Sequence, residues 1–274
     1  MATGLIPIRR VVTGNDESGK SKVVWDGPAP NAQPTPMGDR GHTDLWVWYD
    51  TPAPISADRD DGNLRYNFPG PTDGGHLRVV QMQGRKPDYD PDTDKMITPA
   101  HEPKDAPSRR MWDRGGNNAF SSANHKTETV DYGILLFGER ELVLDDRTLL
   151  MKPGDIVVQA GAWHLWSCPQ DYALMAFDMI SADFVDGPVG LAQGSDPVMR
   201  ADDLKLPEGV KPARRIVTID KEPNKSTLVS DGPAPDVRAD PARPGFASAR
   251  LWVTDTMPAT VSYTHLTLPT ILLV

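Results

Sequence analysis

Proline and glycine interrupt this sequence along its whole length, at 27 and 23 of its 274 residues. No stretch keeps apolar residues at the i, i+3, i+4 and i+7 positions of an amphipathic helix over three turns. Short apolar runs bounded by turn residues are typical of β-strands. The sequence therefore predicts an all-β chain. Its 38% hydrophobic content is enough for a packed core.

Nine segments in the first 185 residues have the composition and turn boundaries of strands. They are 22–25, 44–49, 76–83, 129–137, 141–144, 148–151, 155–159, 163–167 and 173–180. The dense run between 125 and 180 predicts a closed barrel or a sandwich, because closure removes exposed sheet edges. The polar, Pro-rich residues 84–118 are expected to form a long loop.

Two segments of the chain resemble each other. Residues 7–30 read PIRRVVTGNDESGKSKVVWDGPAP and residues 212–235 read PARRIVTIDKEPNKSTLVSDGPAP. After one inserted residue the match resumes with Leu-Trp-Val at 45–47 and at 251–253. The repeat unit of about 200 residues is too long for a solenoid, so the sequence indicates a domain duplication.

The duplication and the composition together predict the organisation of the chain. Residues 1–185 are expected to form one domain, and the Gly/Pro-rich residues 186–210 a linker. Residues 211–260 would be an incomplete second copy of the N-terminal segment. The closing stretch 261–274 begins VSYTHLTLPT, which resembles the translation of a transposase adapter used in sequencing libraries. It is therefore expected to be non-native, although a genuine apolar strand is the alternative.

Charge and composition exclude several classes of partner. The net charge of −9 argues against nucleic acid and anionic membranes, which both require a basic patch. No apolar run approaches the roughly 20 residues of a membrane span. The N-terminus lacks the apolar region of a secretory signal, and a lone cysteine, Cys168, excludes an internal disulfide. A cytoplasmic protein is expected.

The stretch from His125 to Gly133 carries polar residues at strand spacing. If it is one continuous strand, His125, Thr127, Thr129 and Asp131 share a face. A polar face of this kind would suit the interior of a ligand-binding barrel.

A second stretch places His164 after a turn at Gly161, with Trp166 on the same face. A histidine beside a tryptophan on an inward face is typical of a pocket wall. Arg78, in HLRVVQM, would point into the barrel by parity and bind an acidic substrate.

These two stretches resemble the two motifs of the cupin superfamily, G-x5-H-x-H-x3-4-E-x6-G and G-x5-P-x-G-x2-H-x3-N. His125 and Gly138 match the first motif, with Thr127 in place of its second His and Asp131 in place of its Glu. The second motif is matched by Gly161 and His164, with Gln159 and Cys168 in place of its Pro and Asn. The resemblance implies a cupin-like jelly-roll β-barrel, and the repeat resembles a bicupin with a truncated second copy.

The resemblance also implies a metal site. His125, Asp131 and His164 would form a 2-His-1-carboxylate set for a divalent transition metal, which could be Fe, Mn, Zn, Ni or Cu. Thr127 would hold a metal-bound water or orient a ligand. The alternative is a metal-free cupin whose two histidines line a polar pocket.

Several functions stay open on this basis. The first is a metal-dependent enzyme acting on a small oxygenated organic molecule, of the dioxygenase, decarboxylase or isomerase type, with His125, Asp131 and His164 as catalytic residues and Arg78, Thr127 and Trp166 as substrate-binding residues. A metal-free version would use a histidine or Asp131 as general base. The other functions are a non-catalytic small-molecule binder and a structural unit that exchanges N-terminal strands between subunits. A homodimer through these strands is expected.

Overall fold

The computed structural model describes residues 4–35, 40–55, 60–63, 68–105, 110–185, 211–222, 225–234, 236–239, 243, 246–254 and 256–262. Within these ranges the chain forms β-strands and two single-turn 3₁₀ helices, Asp61–Asn63 and Pro91–Thr93, and no α-helix. The described ranges contain no helix with the length and apolar character needed to cross a bilayer. The prediction of an all-β chain is confirmed.

The strands are numbered in chain order. They are β1 (Arg9–Asn15), β2 (Ser21–Pro28), β3 (Asn31–Pro34), β4 (Gly41–Trp48), β5 (Gly75–Gln83), β6 (Lys104–Asp105), β7 (Met111–Asp113), β8 (His125–Thr127), β9 (Thr129–Phe137), β10 (Arg140–Val143), β11 (Thr148–Met151), β12 (Ile156–Ala160), β13 (Leu165–Ser167), β14 (Tyr172–Val185), β15 (Arg214–Glu222), β16 (Lys225–Pro233), β17 (Asp236–Ala239), β18 (Ala247–Arg250) and β19 (Ala259–Ser262).

The barrel is built from two four-stranded layers. One layer has the antiparallel order β5-β14-β9-β12. The other has the order β13-β10-β11, and a bridge between His125 and His164 places β8 beside β13. Successive strands from β8 to β14 cross between the layers, except for the β10–β11 hairpin, so most neighbours in a layer are distant in sequence. This is the strand order of a jelly roll, so the predicted cupin-like barrel is confirmed.

Side chains alternate across the strands and fill the space between the two layers. Leu135, Val157 and Met175 come from one layer, whereas Leu142 and Met151 come from the other, and all five belong to one buried core cluster. Each is no more than 1% exposed. This contact between the layers defines the barrel interior. It also shows which alternate residues of each lining strand point inward.

The two segments that resemble each other form hairpins with the same register. In β1–β2, Arg9 lies opposite Pro28, and a bulge follows Val12. In β15–β16, Arg214 lies opposite Pro233, and a bulge follows Val217, which is 205 positions after Val12. The ion pair between Arg9 and Asp26, at 2.8 Å, recurs between Arg214 and Asp231 at 2.7 Å. The similarity in sequence is therefore also a similarity in backbone pairing.

The two hairpins differ in what they pack against. Strand β15 runs parallel to β12 and extends the barrel sheet, so that Ile216 is fully buried in the barrel core cluster. Hairpin β1–β2 forms a two-stranded sheet of its own, and its Val11 and Val23 are 47% and 58% exposed. Strand β19 pairs with the end of β14.

Most of the expected strands are present within one or two residues of their expected bounds, but one expectation is wrong. The polar stretch from His125 to Asp131 is not one continuous strand, because the chain leaves β8 at Glu128 and starts β9 at Thr129 in the other layer. The backbone N–H of Glu128 instead donates to the carbonyl of Arg110. The expected linker 186–210 and residues 263–274 of the expected tail lie outside the described residues.

Candidate functional site

His125 and His164 meet inside the barrel. Their ring centroids are 4.5 Å apart, and the rings are inclined by 55°. The meeting is set by the backbone, because each residue donates its N–H to the carbonyl of the other at 2.9 Å. Two imidazoles that are 39 positions apart in the chain are therefore neighbours, as the functional hypothesis requires.

Both histidines are fixed in the same tautomer. The Nδ1–H of His125 donates to the carbonyl of Ala123, and the Nδ1–H of His164 donates to that of Ala162, each at 2.8 Å. Since a carbonyl can only accept, Nε2 of each ring keeps its lone pair. Burial lowers the pKa of His125, and burial together with the neighbouring His125 holds the pKa of His164 well below its ordinary value. The pair therefore presents two neutral acceptors.

Aromatic rings surround the histidine pair. Phe68 lies edge-on to His125 with centroids 6.3 Å apart, and Trp166 lies 6.3 Å from His164 in the same manner. Trp166 in turn contacts Phe177 of the facing layer at 5.8 Å. Trp166 is 4% exposed and lines the interior, in agreement with its expected position. An apolar wall with a few polar groups is typical of a small-molecule site.

Polar side chains also line the facing layer. Asp131 on β9 lies directly opposite Gln159 on β12, and the two are 3% and 1% exposed. Oδ1 of Asp131 and both side-chain atoms of Gln159 have no hydrogen-bond partner. Burial raises the pKa of Asp131 to about 7, with the charge of Asp178 adding to the shift and a hydrogen bond from Thr129 opposing it. A buried amide without partners is rare in proteins and marks a place where a polar ligand or water fits.

Thr127 lies at the end of β8 and is 2% exposed. Its hydroxyl is 2.6 Å from that of Thr129, so the two threonines join β8 to β9 across the break at Glu128. Thr127 therefore lies next to the polar residues of the interior, with its hydroxyl hydrogen-bonded to a neighbour on the chain.

Arg78 points into the barrel, as parity predicted, but it is held by a carboxylate. Its guanidinium forms an ion pair with Asp44 on β4 at 2.8 Å, and both side chains are buried. It also lies over the Phe68 ring, with Cζ 5.3 Å from the centroid. The partner is 34 positions away and on a neighbouring strand, which explains why the sequence did not reveal it.

Sequence reasoning missed two histidines near this wall. His76 is fully buried, and its ring lies 6.4 Å from Phe68. His42 lies 3.9 Å from Asp44, and burial and the nearby Arg78 lower its pKa to about 4. The available signal was the two-residue spacing between His76 and Arg78, which places both on the inward face of β5.

The described residues do not fit a three-ligand metal centre. In the parts of the chain that the structure describes, no group of three or more His, Cys, Asp and Glu side chains is placed to hold a metal ion. His125 and His164 supply two imidazoles, but Asp131 does not complete a set with them, since it belongs to the other layer beyond the break at Glu128. Protein metal sites ordinarily use at least three protein ligands. Metal binding stays a prediction.

Comparison with known proteins gives short or distant similarities. No family model matches the chain. A segment of 46 residues is 50% identical to the phomopsin biosynthesis cluster protein D of Diaporthe leptostromiformis and 46% identical to the oryzines biosynthesis cluster protein J of Aspergillus oryzae. The segment is 16% of this chain, and it spans about a quarter of the length of these relatives, 24% and 26%.

Solved structures with a similar course of the chain include three bacterial proteins. They are a Cupin 2 conserved barrel domain protein from Salinispora arenicola (14% identity, 54% of this chain and 85% of that one, TM-score 0.26), the EutQ protein of Clostridium difficile (11%, 63% and 95%, TM-score 0.30) and the polyketide cyclase RemF from Streptomyces resistomycificus (16%, 64% and 78%, TM-score 0.28). By strand order and register, the first 185 residues contain a jelly-roll barrel.

Proposed function

We propose that the chain binds a small oxygenated organic molecule inside its barrel, next to the His125–His164 pair. The observation that carries this proposal is the pair itself: two neutral imidazoles, 4.5 Å apart, whose Nε2 atoms are left as acceptors by fixed Nδ1–H donors. Hydroxyl groups of a ligand are the natural donors to such acceptors. The aromatic rings of Phe68 and Trp166 would pack against its apolar body.

The orphaned polar atoms opposite the pair support the same function. Gln159 offers a donor and an acceptor, and Asp131 offers a further oxygen, all without partners in the unliganded barrel. Leaving such groups unsatisfied is unfavourable, so a polar ligand that reaches them gains binding energy. The short segment shared with biosynthesis cluster proteins supports a biosynthetic setting for the molecule.

Catalysis without a metal is compatible with this geometry. A neutral histidine beside a bound hydroxyl or an activated C–H group is a general base, and the depressed pKa of His164 keeps it unprotonated at neutral pH. Isomerisation needs only such proton transfers once the substrate is oriented. Decarboxylation also needs a carbonyl or phenol group in the substrate itself, which takes up the electron pair of the broken C–C bond until the carbon is protonated. Whether the protein only binds its ligand or also converts it depends on whether the ligand carries a group that the histidine can deprotonate.

A metal-dependent enzyme, of the dioxygenase type for example, is the second candidate. One observation favours it: imidazoles whose Nδ1–H groups are held by backbone carbonyls are typical of metal-ligating histidines. The lack of a third ligand among the residues that the structure describes weighs against it.

Metal analysis and ligand binding together test the two candidates. The protein should be purified without chelator, and its metal content compared with that of His164→Ala and of Lys152→Ala, a control whose exposed residue lies in the turn between β11 and β12. We expect no stoichiometric metal in any of the three. Metal that is stoichiometric in the wild type and in Lys152→Ala but absent from His164→Ala would favour the second candidate.

Binding is measured with catechol, a small molecule with two hydroxyl groups. We expect His164→Ala to weaken binding by about tenfold, the effect of one hydrogen bond to a buried acceptor. Lys152→Ala should bind catechol as the wild type does. Equal affinity of wild type and His164→Ala would contradict the proposed site.

A further inference from the structure

Two arginines with very different surroundings point into the barrel. Arg78 on β5 is neutralised by Asp44 at 2.8 Å. Arg140 on β10 is more deeply buried, 1% exposed against 6% for Arg78, yet no carboxylate of the described residues forms an ion pair with it. The charge of Arg140 is thus buried without a carboxylate partner among the described residues.

The contacts of Arg140 are weak for a guanidinium. Nη1 lies 3.8 Å from the thioether sulfur of Met175, which is a poor acceptor, and Nε has no hydrogen-bond partner. Its Cζ lies 4.8 Å from the centroid of the Trp166 ring. Cation–π stacking offsets only part of the free energy that is lost when a charge leaves water.

Cys168 does not supply the missing negative charge. Its thiol donates to the carbonyl of Gln170 at 3.2 Å, so it is protonated in this arrangement. Burial raises the pKa of Cys168 despite the nearby Arg140. A neutral thiol leaves the guanidinium uncompensated.

We propose that Arg140 binds the anionic group, a carboxylate, of the molecule that the barrel holds. This proposal rests on the proposed function and names its ligand class. A carboxylate accepts two parallel hydrogen bonds from a guanidinium edge, and here Nε is available for one of them.

The position of Trp166 defines the rest of the ligand. The Trp166 ring lies 4.8 Å from Cζ of Arg140, 6.3 Å from the ring of His164 and 5.8 Å from that of Phe177. A molecule that places a carboxylate on Arg140 and an apolar or aromatic body along Trp166 reaches toward the histidine pair. The inferred class is a small aromatic carboxylate.

Benzoate and its neutral analogue benzamide are the probes, with binding measured by isothermal titration calorimetry on the full chain. The variants are Arg140→Met, which keeps the bulk of the side chain, Arg140→Lys, which keeps the charge, and Arg147→Gln as a matched control. Arg147 is an exposed arginine paired with Asp146 outside the interior. We expect Arg140→Met to weaken benzoate binding by about tenfold or more, as removal of a charged bidentate contact does. Arg140→Lys should be intermediate and Arg147→Gln unchanged.

Stability separates a binding role from a structural one. Because Arg140→Met removes an uncompensated buried charge, the melting temperature of the unliganded variant should equal or exceed that of the wild type. Benzoate should raise the melting temperature of the wild type and not that of Arg140→Met. A variant that melts well below the wild type would show that Arg140 serves packing, and would overturn the proposal.

Equal benzoate affinity of wild type and Arg140→Met would also overturn the proposal that Arg140 binds the carboxylate. If the wild type binds benzamide or catechol but not benzoate, the carboxylate inference is wrong while the proposed barrel site stands. If it binds none of the three, both fail.

Discussion

Asp131 shows how burial changes the chemistry of a single group. Its carboxyl is 3% exposed, lies opposite Gln159 and receives a hydrogen bond from Thr129, but no cation among the described residues offsets its burial. Desolvation therefore outweighs the hydrogen bond and raises its pKa to about 7. The folded protein holds a proton here that the unfolded chain releases near pH 4.

This shift predicts how stability depends on pH. The stability that protonated Asp131 contributes is fully present below about pH 4 and is lost as the pH rises to about 7. Above that pH we expect no further loss from this group. Asp131→Asn, which stays neutral, should therefore gain roughly 2–4 kcal/mol relative to the wild type between pH 4 and pH 8. Urea unfolding across this range measures the gain. Exposed Asp183→Asn is the control, and a difference that does not grow with pH would contradict the assignment.

The histidine pair was expected because His125 and His164 match the two motifs that the chain shares with the cupin superfamily, and the spacing within each motif is local. The counter-ion of Arg78 was not, because Asp44 belongs to another strand. Arg140 carried no signal at all: RELV reads as an ordinary amphipathic strand, and only the packed barrel shows that its arginine is on the inward face.

Hairpins β1–β2 and β15–β16 share sequence and register but not surroundings. Val11 and Ile216 occupy the same position in the two hairpins, yet Val11 is 47% exposed and Ile216 is fully buried. The difference arises because β15 adds to the edge of β12 and covers the barrel core there. The contribution of a hairpin to stability therefore depends on whether it pairs with the edge of the barrel sheet and covers the core.

Shortening the side chain at these two equivalent positions should lower the free energy of unfolding by unequal amounts. Ile216→Ala should lower the free energy of unfolding by about 2–4 kcal/mol, because it leaves a cavity in the core. Val11→Ala should change it by less than about 0.5 kcal/mol. Chemical denaturation of both variants measures this. Equal losses would mean that β15 does not pack on the barrel in solution.

The occupied edge of β12 affects how copies of this chain are expected to associate. The second hairpin already occupies that edge within the chain, which leaves the equivalent face of β1–β2 exposed at Val11 and Val23. The β12 edge of a second copy is occupied in the same way, so the exposed face of β1–β2 is left to meet the same face of another copy. We therefore expect a homodimer to form through the N-terminal strands, by this face.

Sedimentation velocity tests this assembly. Val23→Glu places a charge on the exposed face of β2 and should lower the dimer fraction by about tenfold or more, since a buried unpaired charge disfavours association. Ile55→Glu is the control, because Ile55 is 98% exposed and lies outside the hairpin. A monomeric wild type, or dimers unaffected by Val23→Glu, would remove the N-terminal face as an interface.

Much of this protein follows from local pattern. Alternation and turn residues are short-range properties, so the all-β class and most strand positions could be predicted from the residues alone, whereas the histidine pair was expected from the resemblance to the cupin motifs. The break at Glu128, the pairing of Arg78 with Asp44 and the unpaired burial of Arg140 depend on which strands become neighbours. Neighbours in a jelly roll are distant in sequence, and electrostatic compensation acts through space, so these features appear only when the two layers close.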